Sequence, residues 1–321
     1  MKKTVYLHIG QSKTGSSYIQ SMFALSRQEL GASGIEYPAF SKGILMAEKG
    51  HVSWGNVDSI ADIADLIQRA AAEAPDASKL LFSGEHLLQL FDARFGPNGL
   101  EALRDEFDFN ILLFVRDPLD HMVSIFKQRK KTGRFSGALE SFAASYNAPA
   151  MIERVLGNLN AQGYTHTVFN YSNNAQNLHA LVAGWLGIPS DRLEDAPDHS
   201  INRSLTASEV FMQTTLSGHL DQKDVLLIGT MLCNLVPDVS PDPMHISEPV
   251  LAGFLDRMTK VCAQTNDLLP SGQHYNLPTL AEAIAKYPAA DDAEALTFSK
   301  QQIAAVSKAF GMIVERNKGR V

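Results

Sequence analysis

Apolar positions along this chain recur in two rhythms, and the switches between them mark the elements. Val5, Leu7 and Ile9 alternate as a strand does. A loop bounded by Gly10 and Gly15 follows. Then comes a helix with Ile19, Met22 and Phe23 on one face and Gly31 as its expected stop. Gly34 to Pro38 reads as a short extended segment, and 39–56, rich in Gly, Ser and charge, as an irregular loop without a period. Val57, Ile60, Ile63, Ala64, Ile67 and Ala71 predict an amphipathic helix over 57–74 that Pro75 ends.

The apolar run 79–83 predicts a strand, with a helical run from Leu87 to Phe91 and a short helix near 99–106 after it. Residues 111–115 read as a buried parallel strand, because they are apolar without interruption. Helices are expected over 118–131, 136–145 and 149–161, a strand over 166–171 and a helix over 175–186. Strands that alternate with helices in this way predict an α/β fold with a parallel β-sheet flanked by helices. From about 190, prolines break the chain into short pieces. Thr206-Ala-Ser-Glu209 reads as a capping box, and Ile303, Val306, Phe310 and Ile313 share one face of a helix over 298–316. The expected organisation is one domain over 1–321, with an α/β core in 1–189 and a mainly helical portion in 190–321.

The first loop carries the candidate chemistry. Its strand–loop–helix setting points unpaired N–H groups and a positive dipole end into the turn, as a phosphate requires. Gly10, Gly15 and Ser17 fit the nucleotide-triphosphate P-loop, so the fold is expected to be P-loop NTPase-like. Ser16 stands where that pattern has lysine, and the lysine is inside the loop at Lys13. Moving the lysine suggests a shorter anion than a triphosphate, held without a metal.

A second motif follows the 111–115 strand. Arg116 emerges at a strand's carboxyl end, where open α/β sheets bind ligands. Asp117 suits an N-cap, Pro118 a first helical position, and Ser124 lies eight residues after Arg116. Arg116 and Ser124 together could grip a second phosphate. The alternative for Arg116 is pairing with Asp117 or Asp120, and the accompanying Ser124 and first loop favour the phosphate role; Ser124 is equally open to bonding its own helix.

Lys13-Thr14-Gly15-Ser16-Ser17 resembles the 5′-phosphosulfate loop of sulfotransferases, and Arg116 with Ser124 resembles their 3′-phosphate site. The resemblance is closest to small bacterial sulfotransferases, whose openings read much like residues 7–15 here, and it covers roughly the first 210 residues in motif order. It implies 3′-phosphoadenosine 5′-phosphosulfate (PAPS) as donor and transfer of a sulfuryl group to a hydroxyl or amine of a small-molecule or glycan acceptor. The residues it implies for the donor are Gln11, Ser12, Lys13, Thr14, Gly15, Ser16, Ser17, Arg116 and Ser124. A late basic loop that closes over the 3′-phosphate in many of these enzymes adds Arg203. Lys13 would neutralise charge on the bridging oxygen as the bond breaks.

Glu85 and His86 directly follow the 79–83 strand and are the candidates for general base. An unperturbed histidine titrates near ~6.5, which suits that work. The resemblance favours Glu85, since bacterial relatives place a glutamate after a small residue, here Gly84. His8 is expected to be a buried core residue, His51 a surface one or an acceptor contact, and His121 to line the Arg116 helix. The cluster Lys127, Arg129, Lys130, Lys131 and Arg134 reads mainly as a solvated helix end.

Bulk properties exclude more than they assign. A net charge of −7 argues against general nucleic-acid binding. Cys233 and Cys262, far apart, make neither a metal cluster nor a disulfide framework, which suggests a reducing compartment. The apolar run after Met1-Lys2-Lys3 is too short for a signal peptide, and no run approaches the ~20 residues of a membrane span, so a cytoplasmic protein is expected. Two rival functions stand beside the first: a P-loop kinase using ATP and Mg²⁺, and a nucleotide-binding protein without catalysis.

Overall fold

The computed structural model describes residues 2–48, 55–95, 99–196, 203–240, 243–289 and 296–318. Among the described residues five strands are formed: β1 (Lys3–His8), β2 (Ile35–Glu36), β3 (Lys79–Ser83), β4 (Phe107–Val115) and β5 (Thr165–Asn170). The helices in chain order are α1 (Ser16–Leu25), α2 (Arg27–Ala32), α3 (Gly43–Glu48), α4 (Ile63–Glu73), α5 (Pro118–Lys131), α6 (Leu139–Ser145) and α7 (Ala148–Ala161). They continue with α8 (Tyr171–Asn174), α9 (Leu178–Leu186), α10 (Ala207–Leu216), α11 (Gln222–Leu235), α12 (Glu248–Asn266), α13 (Leu280–Lys286) and α14 (Lys300–Lys318). The chain gathers into two compact units. One holds Met1–Asp117, Asn147–Asp198 and Val261–Asn276; the other holds Pro118–Tyr146, His199–Lys260 and Leu277–Val321.

The first unit is built on an all-parallel sheet in the order β2-β3-β1-β4-β5. Leu7 pairs with Phe82 on one side and Ile111 on the other, so β1 is an inner strand. Its apolar residues are buried, as an inner parallel strand covered on both faces requires. Ile19, Met22 and Phe23 of α1 pack with Leu81, Leu112, Phe114, Val182 and Leu186 into one core. The expected parallel α/β sheet flanked by helices is therefore the fold.

Local expectations needed four corrections. The helix after the first loop breaks at Ser26, whose N–H still bonds Met22 while its Oγ accepts the N–H of Glu194 at 2.6 Å. Gly31 lies inside α2, and the left-handed glycine that turns the chain is Gly34, at φ 75°. The segment 39–56 contains α3, whose start is braced by Ser41: its Oγ accepts from Gly43 N and donates to Asp58 at 2.6 Å. A six-residue helix is too short to show a period. Val57 and Ile60 lie before α4, because Asn56 exchanges hydrogen bonds with the Ser83 backbone and holds the chain along β3. Gly55 permits this approach, since a Cβ there would stand 1.8 Å from the Ser83 carbonyl oxygen.

The second unit is helical. The capping box is present: Glu209 N–H donates to Thr206 Oγ1 at 3.2 Å and Thr206 N–H to Glu209 Oε2 at 2.9 Å. Ile228, Leu232 and Val236 pack with Ala305, Ala309 and Ile313. The inner face of α14 thus runs through its alanines, while Ile303, expected inside, is 56% exposed. Among the described residues no helix is long and apolar enough to cross a membrane.

Candidate functional site

The loop between β1 and α1 has the backbone an anion site needs. Gly15 caps α1 at φ 86°, with no side-chain cap, and Lys13 at φ 67° is the one non-glycine residue with positive φ among the described residues. Left-handed residues set into a turn aim N–H groups to one concave side. Gly15 must also lack a side chain, since a Cβ would meet Leu178 Cδ1 at 2.7 Å and Tyr171 Cε2 at 3.1 Å. Gly10 is similar, with Ser16 Oγ 2.5 Å from where a Cβ would be.

The loop's side chains divide by direction. Thr14 Oγ1 donates to the Gln11 carbonyl at 2.5 Å, and Ser16 Oγ points at the same oxygen from 3.4 Å. Both hydroxyls thus face the loop's own backbone. Gln11 is only 3% exposed, yet both its amide atoms lack a hydrogen-bond partner among the described residues. Buried polar groups without partners are few in folded proteins, so these atoms suit a ligand. Ser12 Oγ turns the other way and donates to Glu85 Oε2 at 2.7 Å. Lys13 and Ser17 are half-buried.

Arg116 closes the loop from the β4 side. Its Nη1 donates to the Lys13 carbonyl at 3.0 Å, and its guanidinium lies 5.4 Å from the Tyr171 ring centroid. The alternative carboxylate partners are engaged elsewhere. Asp117 Oδ1 accepts from Asn170 Nδ2 at 2.8 Å and Asn276 N at 3.0 Å, and Asp120 is bound by Lys286 and Tyr287. Tyr171 is a residue the sequence reading missed. It begins α8 immediately after β5, and the strand-end rule that selected Arg116 would have selected it too.

At the end of β3, Glu85 opens a 3₁₀-helix, Glu85–Phe91, which contains the helical run expected from Leu87 to Phe91. His86 follows it. Burial pushes the His86 ring below its ordinary pKa of 6.5, against opposing pulls from the Val57 backbone, Glu85 and Asp58. Its Nε2 is buried without a hydrogen-bond partner among the described residues. His8 is a core residue as expected: its Nδ1 lies 2.8 Å from Ser83 Oγ.

Complete burial lowers the His8 pKa from 6.5 to about 3. Between those values the unfolded chain binds a proton at His8 that the folded protein does not, so stability falls as pH falls through that window. The residue's contribution to the slope is about 1.4 kcal/mol per pH unit. Urea-denaturation midpoints of His8→Gln should lose that part of the acid sensitivity. An unchanged slope would show that His8 does not carry it.

Ser12, Lys13, Glu85 and Arg116 are thus brought together in the first unit by hydrogen bonds. Ser124, half-buried on α5, and Arg203 belong to the second unit. Arg203 is corrected as a phosphate ligand. Both its terminal nitrogens bind the Glu209 carboxylate at 2.7 Å, its Nε donates to the Val236 carbonyl, and its side chain is 7% exposed against 0% for Glu209. Glu209 also receives Gln302 Nε2 at 2.8 Å, so this is a buried structural pair. In the basic cluster, Lys130 and Lys131 depart from the expected solvated helix end by being buried. Lys130 is 1% exposed, donates to the Ser136 carbonyl and lies on the rings of Phe126 and Phe135, while Arg129 and Arg134 are exposed. His121 pairs with the Tyr146 hydroxyl at 2.8 Å. His51 lies outside the described residues.

No family model and no curated protein matches this chain. Among solved structures it is similar to a sulfotransferase from Alicyclobacillus acidocaldarius, with 12% identity over 88% of this chain and 100% of that one, at a TM-score of 0.47. It is similar also to retinol dehydratase in complex with retinol and PAP, with 12% identity over 87% of this chain and 84% of that one, at a TM-score of 0.32. A second retinol dehydratase structure, in complex with androsterone and inactive cofactor PAP, aligns with 96% of this chain and 79% of its own at 12% identity and a TM-score of 0.30.

Proposed function

We propose that this chain is a cytoplasmic, PAPS-dependent sulfotransferase acting on a hydroxyl or amine acceptor. One observation carries the reading: the glycine-bounded loop is tied by hydrogen bonds to an arginine at the end of β4 and a carboxylate at the end of β3. The residues fit the donor. Gln11's unpartnered amide and the uncapped start of α1 offer hydrogen bonds to the 5′-phosphosulfate. Arg116 keeps further N–H donors for the 3′-phosphate beyond the one on Lys13. The free, buried Cys233 and Cys262 agree with a reducing compartment.

In the proposed reaction an acceptor oxygen attacks sulfur. The bond from sulfur to the bridging oxygen breaks, and its electron pair leaves with 3′-phosphoadenosine 5′-phosphate (PAP). The Lys13 ammonium meets the charge that grows on that oxygen, and the acceptor proton passes to Glu85. Preorganised charges of this kind act without reorganising during the reaction. His86, half-buried and with its pKa lowered by burial, supports Glu85 in this reading.

Calorimetric titration with PAP, with and without EDTA, tests it. PAP should bind tightly, EDTA should change nothing, and ADP should bind more weakly. Arg116→Ala should weaken PAP about 10- to 100-fold, the range of a lost charge-assisted contact. A preference for ADP with Mg²⁺ would overturn the proposal in favour of a kinase.

A further inference from the structure

We infer that Ser12 is a positioning residue that couples the donor loop to the base. This rests on the sulfotransferase reading above. Of the loop hydroxyls, those of Thr14 and Ser16 turn into the loop, while that of Ser12 reaches 73 residues along the chain to Glu85 Oε2. The bond joins the ends of neighbouring strands, since β1 pairs with β3. A glutamate side chain on a short 3₁₀-helix has several rotamers, and a donor fixed to one oxygen selects among them. Oε2 is thereby committed to the loop, and Oε1 is the oxygen that takes the acceptor proton.

The coupling runs in both directions. Ser12 lies between Gln11, with its unpartnered amide, and Lys13, in its left-handed conformation, so its position follows the loop's shape. Glu85 is aligned when the loop has the form that holds an anion. The base is then in place when the donor is. Misplacing a reacting group by about 1 Å can cost ~10² in rate, which sets the scale of the expected loss.

The test uses the whole chain and needs no acceptor. In the slow hydrolysis of PAPS, water attacks sulfur, PAP leaves with the electron pair, and one water proton goes to Glu85. Ser12→Ala should lower kcat for hydrolysis ~10- to 100-fold while the KM for PAPS and the Kd for PAP stay within about threefold. Ser12→Thr, which keeps the hydroxyl, should recover most of the rate. In a Glu85→Gln background, Ser12→Ala should change little more, because the two residues act as one unit. The inference is overturned if Ser12→Ala leaves kcat unchanged, weakens PAP by the same factor as the rate, or keeps its full effect without Glu85. Wild-type protein that neither binds PAP nor hydrolyses PAPS overturns the sulfotransferase reading, and this inference with it. Active wild type with a silent Ser12→Ala overturns this inference alone.

Discussion

Glu85→Gln should slow PAPS hydrolysis ~10²–10⁴-fold and leave PAP binding intact, the range for loss of a positioned general base. The amide keeps the volume and can still accept the Ser12 hydrogen bond made in the native protein at 2.7 Å, so only proton acceptance is removed. His86→Asn should cost less than about tenfold. Burial lowers the pKa of its ring, which makes it a weaker proton acceptor than an ordinary histidine. The pair of variants, assayed for hydrolysis and titrated with PAP, separates three outcomes. The expected one assigns the base to Glu85. A reversed order assigns it to His86. Full activity in both would leave a donor-binding protein whose catalysis lies elsewhere.

Arg203→Ala should destabilise the protein by about 3–5 kcal/mol without weakening PAP, because it leaves the Glu209 carboxylate buried and uncompensated. The native pair is extensively satisfied. Glu209 receives Arg203, Gln302 and the Thr206 N–H, and burial, which alone would raise its pKa, is outweighed by these bonds so that the carboxylate is held below its ordinary range. Replacing both members with apolar residues, as in Arg203→Met with Glu209→Leu, should cost less than the single change, since no charge is then stranded. Urea-denaturation midpoints measure the first effect and PAP titration the second. A stable Arg203→Ala protein with much weaker PAP binding would restore the phosphate role.

These two arginines show where reading the chain succeeds and where it stops. Arg116 was located by a local rule: an uninterrupted apolar run, then a cation, then Asp-Pro. Its neighbours in sequence decided its position, so its place at the sheet edge was legible. Arg203 also stood beside an interpretable signal, the Thr206–Glu209 capping box, and that box formed as expected. What the box did not reveal is that both oxygens of the same glutamate also carry a buried arginine. A capping residue's local role is written in four residues, whereas its second partner depends on which helices pack over it.

The same division holds for the secondary structure. Long periodic segments were legible, including 118–131 and 149–161, because burial of one face imposes its spacing on the sequence. Short elements were not. The helix Gly43–Glu48 and the break at Ser26 are set by backbone N–H bonds that the Ser41 and Ser26 hydroxyls accept, which leave no repeat to detect.

For the candidate site, the sequence by itself determined which chemistry was present. It supplied a glycine-bounded loop with an internal lysine, an arginine after a buried strand, and a carboxylate beside a histidine after another. These follow from neighbours in the chain, and so does the parallel sheet that such strand–helix alternation builds. Only the tertiary structure decided the partnerships. It joined Ser12 to Glu85 and Arg116 to the Lys13 carbonyl, laid Tyr171 against Gly15, and withdrew Arg203 into a buried ion pair. Side-chain direction at a site is chosen by whichever hydrogen bonds the packed neighbours leave to be made, and for Ser12 and Arg116 those neighbours lie 73 and 103 residues away along the chain.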